Sequence, residues 1–238
     1  MDRLSDRMRM NVGLIDKGSS VADIGCDHGY VSIYLMEKEI ATKVVAMDVV
    51  PGPLERARKH IAEAGLEDVI EVRLSDGACE LKILPDGTLE TDAILIAGMG
   101  GHLALRIVED SIDKFRLARY FILQIQSDIP YVREQLNRMG FAIVDEDMVC
   151  EDGKYYTAIK FAKGESTDYT DEELIYGPRL IEKKHPVLVE FLNYEHGVYK
   201  EIYNSISSRT VNMSAAEKRS DEVGYRLQLI DRLLECMD

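Results

Sequence analysis

The sequence lacks several features that would place it in special classes of protein. No apolar run approaches the roughly 18 residues that a membrane span needs, which excludes a transmembrane helix. The first ten residues, MDRLSDRMRM, are charged and do not resemble a signal peptide. The 4 cysteines form no CxxC pair, which argues against a disulfide framework or a metal site. We therefore expect a metal-free protein of the reducing cytoplasm.

An excess of basic residues is also missing, since the net charge is −14. Phosphate contacts come from clustered Lys and Arg, so any RNA site must be a local basic patch. The best candidate is Arg3, Arg7 and Arg9 near the N-terminus. The alternative is a solvated helix face with its own counterions, Asp2 and Asp6.

Apolar runs alternate with amphipathic segments, a pattern typical of a Rossmann-like α/β fold with a largely parallel sheet. Helical spacing over Pro53–Ala64, and again after Pro130 up to the terminator Gly140, predicts two of the connecting helices. The predicted strands are Ser20–Gly25, Val44–Val49, Ile70–Leu74, Ala93–Ala97 and Tyr120–Ile125.

After Gly140 the pattern changes. Phe141–Val149 and Tyr155–Phe161 predict a β-hairpin, which is common at the end of methyltransferase sheets. Beyond residue 164, capping-box patterns at 170–173 and 214–217 predict two long helices in an antiparallel hairpin. We predict a cofactor-binding domain over 1–163 and a helical, coiled-coil-like domain over 164–238. The second is interpreted as either a structural lid or a substrate-docking arm.

The glycine loop after the first strand does not have the GxGxxG pattern of dinucleotide sites. Gly25 and Gly29 remove β-carbons so that a ligand can approach the backbone. Asp23 and Asp27 would repel a pyrophosphate, but they suit a cofactor that carries an ammonium and a sulfonium. Cys26 lies between the two glycines. The loop therefore favours S-adenosylmethionine over a dinucleotide.

Two further acids follow the next strands. Asp48 ends the second strand, where a carboxylate can bind both ribose hydroxyls, and Asp76 ends the third, where it could accept from an adenine amino group. The alternative is that both are ordinary turn residues. The remaining residues predicted to bind cofactor are Val49, Ser75, Gly77, Ala97, Gly98 and Met99.

The end of the fourth strand lacks the Pro-Pro-aromatic motif of many amino-methylating enzymes. It reads Ala97-Gly-Met-Gly-Gly101, and Gly100 and Gly101 open space for an acceptor. We therefore expect that the methyl acceptor is not an exocyclic base amine.

Characteristic motifs run in order through nearly the whole chain. They are Arg3-Leu4, Ala22-Asp-Ile-Gly-Cys-Asp-His-Gly-Tyr30, Gly52-Pro53, Arg73-Leu-Ser-Asp-Gly77, Ile96-Ala-Gly-Met-Gly-Gly101, Leu123-Gln124, Arg133, Gly153-Lys-Tyr-Tyr156 and Tyr176-Gly-Pro178. With these motifs the chain resembles the bacterial tRNA adenine-22 N1-methyltransferase family. The resemblance implies methyl transfer to N1 of an adenine in the tRNA D-arm. One departure is Ile125-Gln126, where the family often has Pro-Asn.

N1 of adenine has an in-plane lone pair, so the reaction needs alignment rather than a base. We expect Asp27 to stabilise the cationic product, with His28 and Tyr30 shaping the pocket, although His28 could simply anchor the loop. Residues predicted to bind the RNA are, besides the N-terminal arginines, Gly100, Gly101, Gln124, Arg133 and Tyr155.

Three other functions stay open at this point. A nicotinamide-dependent oxidoreductase is disfavoured by the missing GxGxxG. A non-catalytic RNA-binding relic of the fold would bind tRNA without consuming a methyl donor. A small-molecule methyltransferase is compatible with the acidic charge. The sequence predicts no obligate protein partner and no membrane association, and we expect a monomer or weak dimer.

Overall fold

A computed structural model describes residues 4–207 and 213–237 of the chain. The chain divides into two compact units between Asp168 and Tyr169, slightly later than the predicted start of the helical domain at 164. None of the helices within the described residues is long and apolar enough to cross a membrane.

The first unit is built on a seven-stranded sheet in the order β3-β2-β1-β4-β5-β7-β6. The strands are β1 (Ser19–Ile24), β2 (Ala41–Asp48), β3 (Ile70–Leu74), β4 (Ala93–Met99), β5 (Tyr120–Ile125), β6 (Phe141–Glu151) and β7 (Lys154–Lys163). The helices are α1 (Asp6–Gly13), α2 (Tyr30–Glu37), α3 (Pro51–Glu63), α4 (Gly101–Asp110), α5 (Ile112–Leu117) and α6 (Ile129–Arg138). A mainly parallel sheet with connecting helices confirms the predicted α/β fold class.

The strands β1 to β5 pair in parallel and supply much of the core. Every residue of β5 is buried, as expected for a strand covered on both faces. The strand order reverses at β1, which pairs with β2 on one side and β4 on the other. Ligands of open α/β sheets bind outside the carboxyl ends of the strands at such a reversal. We therefore expect the ligand-binding site at this carboxyl edge of the sheet.

The hairpin of β6 and β7 completes the sheet. β7 runs antiparallel to β5, with Gln124 opposite Ala158. Because of this direction, the hairpin turn extends past the carboxyl end of β5. The turn residues Asp152 and Gly153 have φ values of 51° and 71°, which a left-handed turn requires. The hairpin thus adds its turn to the carboxyl edge of the sheet.

The second unit is helical. Its helices are α7 (Asp171–Tyr176), α8 (Pro178–Glu182), α9 (Pro186–Ser207) and α10 (Met213–Met237). The capping box predicted at 170–173 is confirmed, because Thr170 and Glu173 bond reciprocally to each other's backbone N–H. The predicted N-cap Ser214 is wrong by position, since α10 begins one residue before it.

The long helices α9 and α10 pack side by side in opposite directions, as predicted. Arg226 of α10 pairs with Glu195 of α9 at 3.4 Å, and its guanidinium lies 4.8 Å from the ring centroid of Tyr176. Leu192, Leu229 and other apolar side chains are buried within this unit. Ionic, cation–π and apolar contacts therefore join its helices.

Candidate cofactor and substrate site

The loop from Gly25 to Gly29 leaves β1 in an unusual backbone conformation. Gly25, Asp27 and Gly29 have φ values of 77°, 49° and 75°. The φ of Gly25 favours glycine, and a β-carbon there would also lie 2.5 Å from Cε at the flexible end of the Met99 side chain. Asp27 has no such freedom, and its left-handed conformation needs support from its surroundings.

Part of that support comes from β2. The N–H groups of Gly25 and Cys26 both donate to the carbonyl of Met47, at 2.8 and 3.0 Å. The N–H of Asp27 donates to Oδ2 of Asp48 at 3.2 Å, and Val50 N–H donates to its Oδ1 at 2.9 Å. The Asp48 carboxylate therefore ties the glycine loop to the end of β2.

Asp23 lies beneath this loop and is only 4% exposed. Burial raises the pKa of its carboxyl to about 6, with a smaller contribution from Asp48 in the same direction. Ser32, at the start of α2, donates to Oδ2 of Asp23 at 2.6 Å and partly offsets the cost of burying the charge. Burial and the neighbouring carboxylates also raise the pKa of the Cys26 thiol, which keeps it protonated.

The end of β3 adds a third acid. Asp76 is exposed, and Arg106 of α4 lies 3.3 Å from its Oδ1. Ser75 is buried and donates to the carbonyl of Gly77 at 2.8 Å, which shapes the turn around Asp76. A β-carbon on Gly77 would lie 2.8 Å from Cγ2 of Ile107, so this turn packs directly against α4.

The predicted acids thus stand at the ends of three adjacent strands, because β3 pairs with β2 and β2 pairs with β1. Val49, directly after β2, is 57% exposed at the same edge. An exposed apolar side chain directly after Asp48 suits a ligand that has both an aromatic ring and hydroxyl groups.

The end of β4 is open. Gly98 has a φ of 78°, and a β-carbon on it would meet nothing within 4 Å. Its N–H donates to Oε1 of Gln124 at 3.2 Å, and Gln124 is fully buried. The prediction that Gln124 binds the RNA is therefore wrong, because its side chain supports the end of β4 from within the core.

Gly101 N–H donates to the Ser127 hydroxyl at 3.2 Å, which anchors the start of α4. Gly101 is buried, and a β-carbon on it would lie 2.6 Å from the Ser127 carbonyl oxygen. The prediction that Gly101 opens space for the acceptor is therefore wrong, because this glycine lets the chain after β5 pack against the start of α4. Ala97 and Met99 are half-buried and Gly100 is exposed beside the open space at Gly98.

Two exposed rings that the sequence did not single out flank this opening. His102, in the first turn of α4, and Tyr131, in the first turn of α6, have ring centroids 5.4 Å apart. Tyr131 is 45% exposed. Asp128, whose φ is 58°, occupies the N-cap position of α6 without a side-chain cap bond, and its Oδ2 lies 3.9 Å from Nε2 of His102. The rings therefore project from two helix N-termini that meet at the carboxyl edge.

The predicted catalytic residues lie together in and directly after the glycine loop. His28 contacts Asp27 at 3.5 Å between Nε2 and Oδ1. The rings of His28 and Tyr30 are stacked with centroids 5.8 Å apart, and His60 of α3 joins this stack at 5.0 Å from Tyr30. His60 and Ser32 were missed by the sequence analysis, because each depends on how a helix face meets the loop.

Arg133 requires a correction. The sequence predicted that it binds substrate, but it is 1% exposed. Its guanidinium pairs with Glu146 of β6, which is also fully buried, with Nη2 at 2.7 Å from Oε1. Moving Arg133 to an RNA phosphate would leave a buried carboxylate unpaired, at a cost of several kcal/mol. Arg133 therefore joins α6 to the hairpin and does not bind substrate.

The structure describes two of the three arginines in the predicted basic patch. Arg3 lies outside the described residues. Arg7 stands at the hairpin turn, where its N–H donates to Glu151 at 3.3 Å and its guanidinium lies 4.9 Å from the centre of the Tyr156 ring. Arg9 pairs with Asp6 at 2.7 Å, which agrees with the alternative of a helix face with its own counterion. Tyr155 is half-buried beside Tyr156.

Within the described residues, no three His, Cys, Asp or Glu side chains are grouped to hold a metal ion. At the carboxyl edge the fold brings together the glycine loop, the three strand-end acids and the opening beside Gly98 and Gly100. Arg7 and Tyr155 belong to the neighbouring hairpin and α1 region. Of the residues predicted to bind the RNA, Arg133 and Gln124 are fully buried.

Comparison with known proteins agrees with this arrangement. A family model described as tRNA (adenine(22)-N(1))-methyltransferase matches residues 21–228. A Bacillus subtilis protein of that name is 30% identical over 238 residues, covering 98% of both chains. The solved B. subtilis m1A22 tRNA methyltransferase superposes with a TM-score of 0.81 at 29% identity, covering 98% of this chain and 100% of that one. A Streptococcus pneumoniae protein solved with S-adenosyl-L-methionine gives a TM-score of 0.82 at 27% identity, over 97% and 99% of the two chains.

Proposed function

Since the chain belongs to the tRNA (adenine(22)-N(1))-methyltransferase family, we propose that it transfers a methyl group from S-adenosylmethionine to N1 of adenine 22 in tRNA. The membership confirms the family and the enzyme class predicted from the sequence. The observation that carries the proposal is the carboxyl edge, where a strained glycine loop and three strand-end carboxylates stand next to an open, glycine-lined space.

The residues at this edge fit the cofactor. Gly25 and Gly29 have positive φ values and no β-carbons, so a ligand can approach the backbone of the loop closely. Carboxylates favour a ligand with positive charges, and the loop has no GxGxxG to seat a pyrophosphate. When bound, S-adenosylmethionine supplies an electrophilic methyl group on its sulfonium.

We assign a separate task to each acid. Asp48 accepts from the ribose hydroxyls with the lone pairs that Asp27 N–H and Val50 N–H leave available. Asp76, exposed beside Val49 across the edge, accepts from the adenine amino group of the cofactor. Asp23 is too deeply buried to dominate binding, and it acts mainly by holding Ser32 and the start of α2.

The target adenine needs no general base, because N1 attacks with a lone pair and loses no proton. The protein's work is to align the base and to stabilise the positive charge that develops on it. The exposed Asp27 carboxylate can do this electrostatically. Its direction is fixed by the loop and by the Nε2 atom of His28.

We place the target base in the opening beside Gly98 and Gly100. The Watson–Crick edge must be exposed, so a paired adenine has to be flipped out at a cost of a few kcal/mol. Tyr131 and His102 offer exposed rings on which a flipped base can stack. Arg7, with Tyr155 nearby on the hairpin, would contact the RNA beside the target.

The test is a methyl-transfer assay with labelled S-adenosylmethionine on unmodified tRNA, followed by nucleoside analysis. We expect N1-methyladenosine from tRNA with adenine 22 and none from the same tRNA with guanine 22. Cofactor binding without transfer to any tRNA would refute the proposal and favour an RNA-binding relic. Methylation of small molecules alone would favour the other alternative.

Two finer points belong to the same proposal. The expected compartment is the cytoplasm, because the substrate is tRNA. The expected state is a monomer or weak dimer, which light scattering across a concentration series can measure.

A further inference from the structure

The glycine loop rests directly on α3. A β-carbon on Gly29 would lie 3.2 Å from Cβ of Ala57 and 3.6 Å from Cδ1 of Ile61. Ala57 and Ile61 are buried on the face of α3 that packs towards the core. The loop backbone therefore lies against the helix with no side chain between them, and residues next to this contact can reach the loop.

His60 is one such residue. Its Nδ1 lies 2.9 Å from the carbonyl oxygen of His28. A carbonyl only accepts hydrogen bonds, so Nδ1 of His60 carries the proton and donates it. The His60 ring also stacks on Tyr30, with centroids 5.0 Å apart and an interplanar angle of 17°. His60 thus holds the main chain of the loop and the residue that begins α2.

Arg56, one turn earlier on α3, holds the side chain of His28. Its Nε donates to Nδ1 of His28 at 3.3 Å. A guanidinium only donates, so Nδ1 of His28 accepts and the ring proton is on Nε2. That atom faces Oδ1 of Asp27 at 3.5 Å. A polar chain therefore runs from Arg56 through His28 to Asp27.

We propose that His60 and Arg56 are positioning residues that hold the cofactor loop in its binding conformation before the cofactor arrives. Asp27 has a φ of 49°, and such a conformation persists only when several contacts enforce it. A loop that is already ordered spares the ligand the cost of ordering it. This inference rests on the proposed function for the identity of the ligand.

The main test separates the hydrogen bond of His60 from its ring. His60→Phe keeps a stacking ring and removes the donor, whereas His60→Asn keeps an N–H donor at the position of Nδ1 and removes the ring. The probe is S-adenosylhomocysteine, titrated by calorimetry without tRNA. We expect binding to weaken roughly threefold to tenfold in His60→Phe, the effect of one lost hydrogen bond, and to stay within about twofold in His60→Asn.

Arg56→Met provides a second variant that cannot be dismissed as misfolded, because Arg56 is exposed. Its matched control is Lys59→Met, which removes one positive charge from the same helix and whose ion pair with Glu63, at 3.8 Å, is exposed. We expect weaker binding of S-adenosylhomocysteine in Arg56→Met, by roughly twofold to fivefold, and no change in Lys59→Met.

Hydrogen exchange in the ligand-free protein gives a readout that does not depend on the cofactor. The amides of Asp27 and Gly29 should exchange faster in His60→Phe than in His60→Asn. Unchanged exchange and affinity in His60→Phe would overturn the proposal, and so would equal losses in His60→Phe and His60→Asn. A wild-type protein that binds S-adenosylhomocysteine but never methylates tRNA would refute the proposed function instead.

Discussion

At the carboxyl edge of the sheet, the ends of β1 and β2 are tied to each other, whereas the ends of β4 and β5 leave side chains exposed. On the first side, Asp48 accepts from two backbone N–H groups and Asp23 is buried under the loop. On the second, Gly98 faces open space and Tyr131 is exposed. The difference supports our proposal that the ends of β1 and β2 hold the cofactor and that the ends of β4 and β5 receive the RNA.

The largest effect should come from removing the second unit. We expect a chain that ends at Asp168 to bind S-adenosylhomocysteine as the full chain does, but to lose at least about a hundredfold in tRNA methylation, because a large substrate needs contacts beyond the pocket. The first unit keeps its own closing contact, since Asn137 bonds both backbone groups of Thr167. Calorimetry and methyl-transfer assays measure the two outcomes. Full activity of the shortened chain would show that the helical unit is not a docking arm.

Asp48→Ala should show how far the contacts between the ends of β1 and β2 depend on one carboxylate. It removes two bonds to the loop and β2 and, in our proposal, the contact with the ribose. Hydrogen bonds to charged groups contribute about 1.5–3 kcal/mol, so we expect S-adenosylhomocysteine to bind roughly tenfold to a hundredfold more weakly in calorimetry. Asp76→Ala, at an exposed carboxylate, should cost less. Equal affinities in wild type and Asp48→Ala would refute the ribose assignment.

Asp23→Asn should stabilise the folded protein at neutral and higher pH. The pKa of Asp23 is raised to about 6 from an ordinary 3.8, so its ionised form is disfavoured in the folded state. The wild type therefore gains stability as the pH falls from about 6 towards 3.8, and Asn should abolish this gain. We expect the variant to be more stable by roughly 2 kcal/mol at pH 8 in urea unfolding. The difference should disappear near pH 4, and a pH-independent difference would contradict the assignment.

On the open side, Tyr131→Ala should reduce kcat/KM for tRNA by about tenfold, because stacking of a base on an aromatic ring contributes 1–3 kcal/mol. Binding of S-adenosylhomocysteine should not change. Tyr131→Phe keeps the ring and should behave like the wild type. If the Phe variant is as impaired as the Ala variant, stacking is not the role of this residue.

The smallest effect should separate two arginines of α1. Arg7→Gln should weaken tRNA binding about twofold to threefold and make its salt dependence shallower by up to about one unit. Arg9→Gln should change less, because Arg9 already pairs with Asp6 at 2.7 Å. Filter binding between low and physiological salt measures both. A larger effect of Arg9→Gln would mean that the RNA lies on the opposite face of α1.

The sequence was most informative about the parallel strands and about the acids and glycines that follow them. Apolar runs predicted β1, β2, β4 and β5 within a few residues, because largely buried strands leave a clear signal. The edge strand β3, which is only partly buried, was also predicted. Parallel strands end at one edge, so the acids that follow them could be predicted to lie together without any knowledge of side-chain contacts. The spacing of Gly25 and Gly29 likewise predicted a loop that a ligand can approach.

The sequence was less informative where function depends on distant contacts. Arg133 looks like an RNA-binding residue until Glu146, on a different element, is seen to neutralise it in the core. His60 lies between the buried positions of α3, and only the path of the loop brings it to the His28 carbonyl. Tyr131 could be assigned to base stacking only once the structure showed that α6 begins at the carboxyl edge.

The contacts of α1 with the hairpin have a consequence for the order of folding. The bond from Arg7 of α1 to Glu151 and the ion pair from Asp16, three residues after α1, to Lys160 each join residues 144 positions apart. Contacts of such high sequence separation carry a large loop-closure cost, so they form late and slow the folding of a domain. During synthesis, α1 leaves the ribosome long before its partner strands exist. We therefore expect α1 to be among the last elements of its unit to reach its final position.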